Sequence, residues 1–163
     1  MMYMRKLQLS TKLKGYFSIA FILFAVLFLA SLFIFKDNLT EIASNLVIKN
    51  AGSEVKSSES AKIDSLYNYS KSGLPYKYTF LEFGAKGCSA CKMMESVMEE
   101  IKLNNKNIVN VIFMNVRNQE YEKLLNYYGV VMIPTQIVLD RNAVEIFRHT
   151  GYIPANELQR EFN

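Results

Sequence analysis

Two cysteines three positions apart are the residues of this chain best suited to chemistry. Cys88 and Cys91 are the only cysteines among 163 residues, so a structural disulfide framework is excluded. They follow an apolar stretch and Gly87, and they open a segment whose apolar residues recur at helical spacing. The N-terminal end of a helix favours a thiolate, which is the species that attacks another disulfide. The spacing therefore predicts a site of thiol–disulfide exchange.

Metal binding is the main alternative for two cysteines at this spacing. Half of a zinc site needs two further ligands, and the chain offers no second cysteine pair and a single histidine, His149. The methionines after the pair could suit Cu(I). However, Met94 and Met98 fall on the apolar stripe of the predicted helix, and Met93 has no evident ligand partner. We therefore expect no metal and no other cofactor, and we expect His149 on the surface or in a hairpin.

The elements that position the cysteines follow from the apolar pattern on either side of them. An apolar strand over 78–83 ends at Gly84, and a helix with one apolar face follows the cysteines. Further strands are predicted over 108–116, 136–139 and 144–149, and further helices over 60–72, 119–128 and 155–162. A strand, a helix and a strand in succession imply two parallel strands, and the later hairpin adds antiparallel ones. The order predicts an α/β fold with a mixed central sheet flanked by helices.

Residues 16–35 are apolar and carry no charge. Twenty residues of helix at about 1.5 Å each span roughly 30 Å, the thickness of the hydrocarbon core of a bilayer. A buried core helix is one alternative, and a cleaved signal peptide is another, although the run is long for one and lacks a clear cleavage site. The segment therefore predicts an uncleaved, single-pass transmembrane anchor.

Charge around this run predicts how the chain is oriented. Four cations precede it, namely Arg5, Lys6, Lys12 and Lys14. By the positive-inside rule, residues 1–15 would be a basic N-terminus in the cytoplasm. The remainder would lie on the extracytoplasmic side of the inner membrane, which is the periplasm in a bacterium.

The rest of the chain divides into a linker and one domain. Residues 36–59 are rich in Ser, Asn, Lys and Glu and predict a polar linker, helical at first, with 45–49 as a candidate edge strand. Residues 60–163 suffice for one domain. The net charge is +4, yet no dense basic patch interleaved with aromatic residues follows the N-terminus, so we expect no nucleic-acid partner.

Three segments in order, FLEFGAKGCSACK, YGVVMIPT and GYIPANEL, resemble the thioredoxin superfamily. The resemblance covers roughly residues 60–162 and implies a thioredoxin-like fold. It also implies a cis peptide bond before Pro134, with Ile133, Pro134 and Thr135 beside the active-site sulfurs. There the backbone before the proline can pair with an extended substrate. The alternative is an ordinary edge-strand proline.

The resemblance implies a role for each residue near the cysteines. Cys88 would be the attacking thiol and Cys91 the resolving one, which breaks the mixed disulfide with the substrate. Glu82 stands where thioredoxin has a buried aspartate, and a desolvated carboxylate there would have a raised pKa and take the proton from Cys91. The alternative is a strand-end glutamate that reaches solvent. Gly84 and Gly87 replace common aromatic residues, so we expect an open surface around Cys88.

The functional expectation is a membrane-anchored, extracytoplasmic thiol–disulfide oxidoreductase that reduces disulfides in exported proteins. Similar tethered proteins draw electrons from a transmembrane thiol carrier and often keep the haem-binding cysteines of apocytochromes c reduced, so those partners are implied as well. The dipeptide Ser89-Ala90 is neither the Gly-Pro of typical thioredoxins nor the Pro-His of the strong periplasmic oxidant. Oxidation and isomerisation therefore stay open, as does a non-catalytic binding module whose groove near Pro134 holds a peptide or a metal ion.

Overall fold

The computed structural model describes residues 11–162, with the backbone alone for 11–15, 33, 36 and 37. Its helices are α1 (Thr11–Ile34), α2 (Lys36–Asn50), α3 (Ser53–Tyr67), α4 (Tyr69–Ser72), α5 (Ser89–Asn104), α6 (Glu122–Tyr128) and α7 (Ala155–Leu158). Its strands are β1 (Tyr78–Gly84), β2 (Val109–Asn115), β3 (Thr135–Leu139) and β4 (Glu145–Thr150). Short 3₁₀ helices, Gln119–Tyr121 and Gln159–Phe162, precede α6 and follow α7. Of these residues, those up to Leu39 form one unit, and those from Thr40 onward form a second that contains the cysteines.

The predicted membrane anchor is not supported. Helix α1 covers the segment 16–35 almost completely, and it begins earlier, at Thr11. Across residues 11–162, none of the helices combines the length and the apolar character that a membrane crossing requires. The predictions of a transmembrane helix, of a cytoplasmic N-terminus and of a periplasmic or other extracytoplasmic domain are therefore wrong. The absence of charged residues from 16–35 was not sufficient evidence for a transmembrane helix. Residues 1–10 of the predicted basic N-terminus lie outside the described residues.

Helices occupy the segment that was predicted to be a polar linker. Helix α2 runs through 45–49, so the short edge strand predicted there is wrong. Helix α3 follows from Ser53 and ends at Tyr67, where Asn68 begins the short helix α4 by accepting a hydrogen bond from the Lys71 backbone N–H at 3.1 Å. The predicted helix stop at Gly73 is confirmed, because Gly73 closes α4 in the left-handed conformation.

The four strands form one mixed sheet in the order β2–β1–β3–β4. Strand β1 is parallel to β2, with α5 as the crossover between them, and β3 is antiparallel to both β1 and β4. The predicted crossover and hairpin are therefore confirmed. In the hairpin turn a single carboxylate oxygen of Asp140 accepts hydrogen bonds from the backbone N–H groups of Asn142 and Val144, at 2.8 and 2.9 Å.

The sheet is covered by helices on both faces, and each face has its own apolar core. Because side chains alternate along a strand, Phe80 points to one face of β1 and Leu81 to the other. The first face packs against α5 and α7, whereas the second packs against α3 and α6. On α5 the core residues are Met94, Val97 and Ile101, with Met98 packed at their edge. The helical stripe predicted around the methionines is thus confirmed as core packing.

Close packing against Gly129 gives the first testable prediction. Gly129 has a φ of +61°, and a Cβ placed on it would lie 2.5 Å from the Ser44 carbonyl oxygen in α2. Gly129→Ala should therefore lower the free energy of unfolding by more than about 2 kcal/mol, through backbone strain plus a clash. Gly73→Ala is the matched control, because Gly73 has a φ of +73° and open space around its Cβ position. We expect a loss of about 1 kcal/mol there in urea unfolding. Equal losses would mean that Ser44 does not pack against Gly129.

Candidate functional site

Cys88 and Cys91 lie at the start of α5, joined by a disulfide, with their Cα atoms 5.2 Å apart. Gly87 has a φ of +87°, which a residue with a side chain rarely adopts, and it turns the chain from β1 into the helix. Cys88 is the N-cap residue, and its Sγ accepts a hydrogen bond from the Cys91 backbone N–H at 3.2 Å. A sulfur at this position receives the positive end of the helix dipole. The arrangement therefore stabilises Cys88 as a thiolate once the disulfide is open.

The two sulfurs differ in their access to solvent. Cys88 is half-buried, whereas Cys91 is 4% exposed and lies beneath it in the first turn of α5. A large substrate can reach the first residue and not the second. Geometry thus allows attack on a protein disulfide only through Cys88, with Cys91 placed to attack the sulfur of Cys88 from behind. The roles assigned to the two cysteines remain predictions.

The peptide bond between Ile133 and Pro134 is cis, as the resemblance implies. Strand register pairs Thr135 with Phe83, so Pro134 lies beside Gly84 on the neighbouring strand. Cys91 packs over Gly84, and Pro134 is therefore one strand spacing away from the residue that Cys91 covers. The Pro134 carbonyl oxygen accepts a hydrogen bond from the Gly151 backbone N–H at 2.8 Å. The Thr135 hydroxyl donates to the Met132 carbonyl oxygen at 2.7 Å. These bonds hold the segment 133–135 next to the disulfide, where its role in substrate binding stays a prediction.

The surface around the disulfide is only partly open. A Cβ placed on Gly84 would lie 2.9 Å from Cε2 of Phe113 and 3.5 Å from Sγ of Cys91, so the Phe113 ring fills the space that an aromatic residue at position 84 would take. The prediction that Gly84 opens this surface is therefore wrong. Around Gly87 no atom comes within 4 Å of a Cβ position, and there the surface is open.

Glu82 is fully buried in the middle of β1. The alternative of a strand-end glutamate that reaches solvent is therefore wrong. Burial raises the pKa of Glu82 to about 8, and hydrogen bonds from the Gln136 side chain lower it by less. Glu82 and Gly84 lie on the same face of β1, the face that Cys91 covers. A carboxyl group with a pKa near neutrality is thus placed below the buried cysteine, which fits the predicted proton acceptor.

Gln136 and Phe113 are the site residues that the sequence did not single out. Register pairs both with Glu82, Phe113 on one side and Gln136 on the other. The one signal in the sequence was a glutamine directly before the apolar run Ile137–Leu139 of the strand TQIVL. His149, predicted for the surface or a hairpin, lies in β4 opposite Gln136 and is half-buried. Within residues 11–162 no group of three or more His, Cys, Asp or Glu side chains could hold a metal ion.

The raised pKa of Glu82 predicts how stability depends on pH. The unfolded group titrates near its ordinary pKa of 4.5 and the folded group near 8, so the folded protein binds more protons between these values. The stabilisation is complete below pH 4.5 and is lost as the pH rises through about 8, a decrease of about 5 kcal/mol in the free energy of unfolding. Urea unfolding of the disulfide form at several pH values measures it. In Glu82→Gln this decrease should disappear, and an equal decrease in both proteins would refute the assignment.

Comparison with known proteins identifies relatives of the part of the chain that contains the cysteines. A family profile described as "Thioredoxin-like domain" matches residues 66–163. Thioredoxin-like protein HCF164, chloroplastic, of Arabidopsis thaliana is 32% identical over 106 residues, which are 61% of this chain and 41% of that protein. Thioredoxin of Rickettsia bellii is 32% identical over 88 residues, which are 54% of this chain and 78% of that protein. The chain thus spans less than half of its chloroplast relative.

Solved structures give a similar comparison. Thioredoxin NaTrxh from Nicotiana alata is 27% identical and superimposes with a TM-score of 0.49, over 60% of this chain and 79% of that one. Thioredoxin-2 of the malaria parasite is 24% identical, with a TM-score of 0.48 over 52% of this chain and 80% of that one.

Proposed function

The chain belongs to the thioredoxin-like family, and on that premise we propose that it is a thiol–disulfide oxidoreductase that reduces disulfide bonds in other proteins. The observation that carries the proposal is the unequal access to the two sulfurs. Cys88 is accessible and caps a helix, and Cys91 is buried behind it. This is the arrangement that a two-step exchange needs, because the first sulfur must meet a large substrate and the second must not.

The proposed reaction has two steps. The Cys88 thiolate attacks one sulfur of a substrate disulfide, and the other substrate sulfur leaves as a thiolate. Cys91 then gives up its proton and attacks Sγ of Cys88, which releases the second substrate sulfur. Two electrons pass from the Cys88–Cys91 dithiol to the substrate, and the protein is left as the disulfide. A dithiol donor is needed to restore the reduced form.

The segment before Pro134 supports a protein as the substrate. Val131 and Met132 are exposed at 38% and 53%, and they lead into the cis bond beside the disulfide. An extended peptide could pair with the backbone here while its disulfide meets Cys88. We propose a disulfide-containing protein with an extended segment as the substrate, and a second dithiol protein as the electron donor.

The direction of electron flow is tested by the redox potential. Nothing basic or cyclic lies between the cysteines, where the strong oxidants of this superfamily have a proline and a histidine. Equilibration with glutathione buffers should therefore place the pair toward about −270 mV, the value of thioredoxin. Acid-quenched alkylation of the free thiols measures the reduced fraction. A potential near about −120 mV would overturn the reductase direction and favour the oxidase.

A further inference from the structure

A row of four side chains crosses the sheet on the face that α5 covers. Register places Phe113 of β2, Glu82 of β1, Gln136 of β3 and His149 of β4 side by side. Glu82 and Gln136, at the centre of the row, are both fully buried. Central strands that face a helix normally present apolar side chains. A buried amide beside a buried carboxyl group therefore calls for an explanation other than core packing.

Only one of the two polar atoms of the Gln136 amide has a hydrogen-bond partner among the described residues. Its Nε2 donates to both carboxyl oxygens of Glu82, at 3.1 and 3.3 Å, and the described residues provide that carboxyl group with no other hydrogen-bond donor. Its Oε1 is buried and lacks a hydrogen-bond partner among the same residues. Leaving a buried polar atom unpaired costs stability, and an apolar side chain would avoid that cost. Core packing therefore does not account for Gln136, whose hydrogen bonds go to the buried Glu82.

We propose, on the basis of the exchange reaction proposed above, that Gln136 is the positioning residue of the buried proton acceptor and that its amide serves both protonation states of Glu82. When Glu82 is ionised, Nε2 donates to it. When Glu82 carries a proton, rotation of the amide by about 180° about its broad terminal torsion presents Oε1 to the new O–H. The rotation exchanges a donor for an acceptor within the same volume, so the packed core does not need to move.

The proton and electrons balance in this step. In the mixed disulfide, the Cys91 proton passes to the Glu82 carboxylate, and the Cys91 thiolate forms a bond with Sγ of Cys88. The bond between Cys88 and the substrate breaks, and the substrate sulfur leaves with the electron pair as a thiolate. Glu82 ends protonated, with Gln136 accepting its hydrogen bond. The proton returns to Cys91 when the dithiol donor reduces the pair again.

Few other titratable groups face this pair. Helix α5 presents Cys88 and Cys91, and its remaining side chains on this face are apolar, as are those of α7. Strand β2 presents Phe113. Strand β4 presents His149, whose Nε2 lies 3.3 Å from the Tyr152 carbonyl oxygen. His149 is therefore the group that an experiment on Glu82 must control for.

The test replaces Gln136 by methionine, an apolar side chain of similar length, in the full chain. NMR of the Glu82 carboxyl carbon in the disulfide form reports its titration directly. The substitution removes the amide from both forms of Glu82, but the bond from Nε2 to the ionised carboxylate is charge-assisted and stronger than the bond from the neutral O–H to Oε1, so the midpoint should move to higher pH by about one unit. Gln136→Leu should give the same shift and serves if the methionine variant folds poorly. His149→Gln should leave the midpoint in place. An unchanged midpoint in the Gln136 variants would overturn the proposal.

A kinetic measurement separates this inference from the proposed function. When the reduced protein reacts with 5,5′-dithiobis(2-nitrobenzoate), Cys88 releases one thionitrobenzoate on attack, and Cys91 releases the second. In Gln136→Met the first release should keep its rate, whereas the second should slow several-fold at neutral pH and recover at higher pH. If the unaltered protein shows no second release, the proposed function fails, and the carboxyl titration still decides the role of Gln136. Equal second-release profiles in both proteins would overturn that role.

Discussion

Replacement of Cys88 by serine should abolish the acceleration of insulin reduction by dithiothreitol that we expect of the unaltered protein. The serine hydroxyl occupies the same N-cap position but is not ionised at neutral pH, so no nucleophile remains at the accessible position. Cys91 cannot substitute for it, because it is only 4% exposed. We expect the rate to fall to the background that dithiothreitol alone gives, a complete loss of the acceleration. The turbidity of precipitating insulin chains measures it.

Cys91→Ala is the matched control for this prediction. It leaves Cys88 able to attack and removes the group that resolves the mixed disulfide, so the variant should remain covalently joined to insulin on a non-reducing gel. The adduct should be absent when Cys88 is also replaced. If the unaltered protein and Cys88→Ser gave equal rates, the cysteines would not act in exchange, and a binding module would become the better interpretation.

The sheet and the position of the cysteines could be predicted because local sequence encodes both. Between β1 and α5 the apolar period changes from that of a strand to that of a helix, and Gly84 and Gly87 mark the break. The hairpin between β3 and β4 has its own local signal in Asp140 and Asn142. Each of these features depends on residues within a few positions of one another.

The packing of residues 40–59 could not be predicted in the same way. Their composition is polar, and a polar segment with few large apolar side chains is typical of a linker. The structure nevertheless buries Ser44 and Glu59, and Ser44 fits against Gly129 because glycine leaves room for its backbone. Nothing near Ser44 in the sequence indicates that contact, because its partner, Gly129, lies at the C-terminal end of α6.

The residues that surround Glu82 also could not be predicted, because they depend on the register of the strands. The sequence identified Glu82 as the odd residue of its strand, and the resemblance supplied a role for it. Gln136, however, is 54 positions away, and whether it faces Glu82 depends on a pairing that a slip of one residue would reverse. Phe113 likewise covers Gly84 only because β2 pairs with β1 in this register. Local patterns could not have revealed the shell around the carboxyl group.

Replacement of Glu82 by glutamine should slow the second step of exchange far more than the first. An amide cannot take the Cys91 proton, and a positioned general base typically contributes 10²- to 10⁴-fold. We therefore expect the second thionitrobenzoate release to fall about 100-fold at pH 7. The first release should stay within about twofold, since the Cys88 thiolate is stabilised by the helix end and by the Cys91 backbone N–H.

The pH dependence of the second release separates proton transfer from a packing defect in this variant. Only ionised Glu82 can accept a proton, and its pKa of about 8 leaves roughly a tenth of the molecules ionised at pH 7. The rate in the unaltered protein should therefore rise about tenfold between pH 7 and pH 9 and then level off. Glu82→Gln should lack the inflection near 8 and approach the unaltered rate at high pH, where Cys91 ionises without a base. A constant deficit at every pH would show that Glu82 shapes the site without accepting the proton.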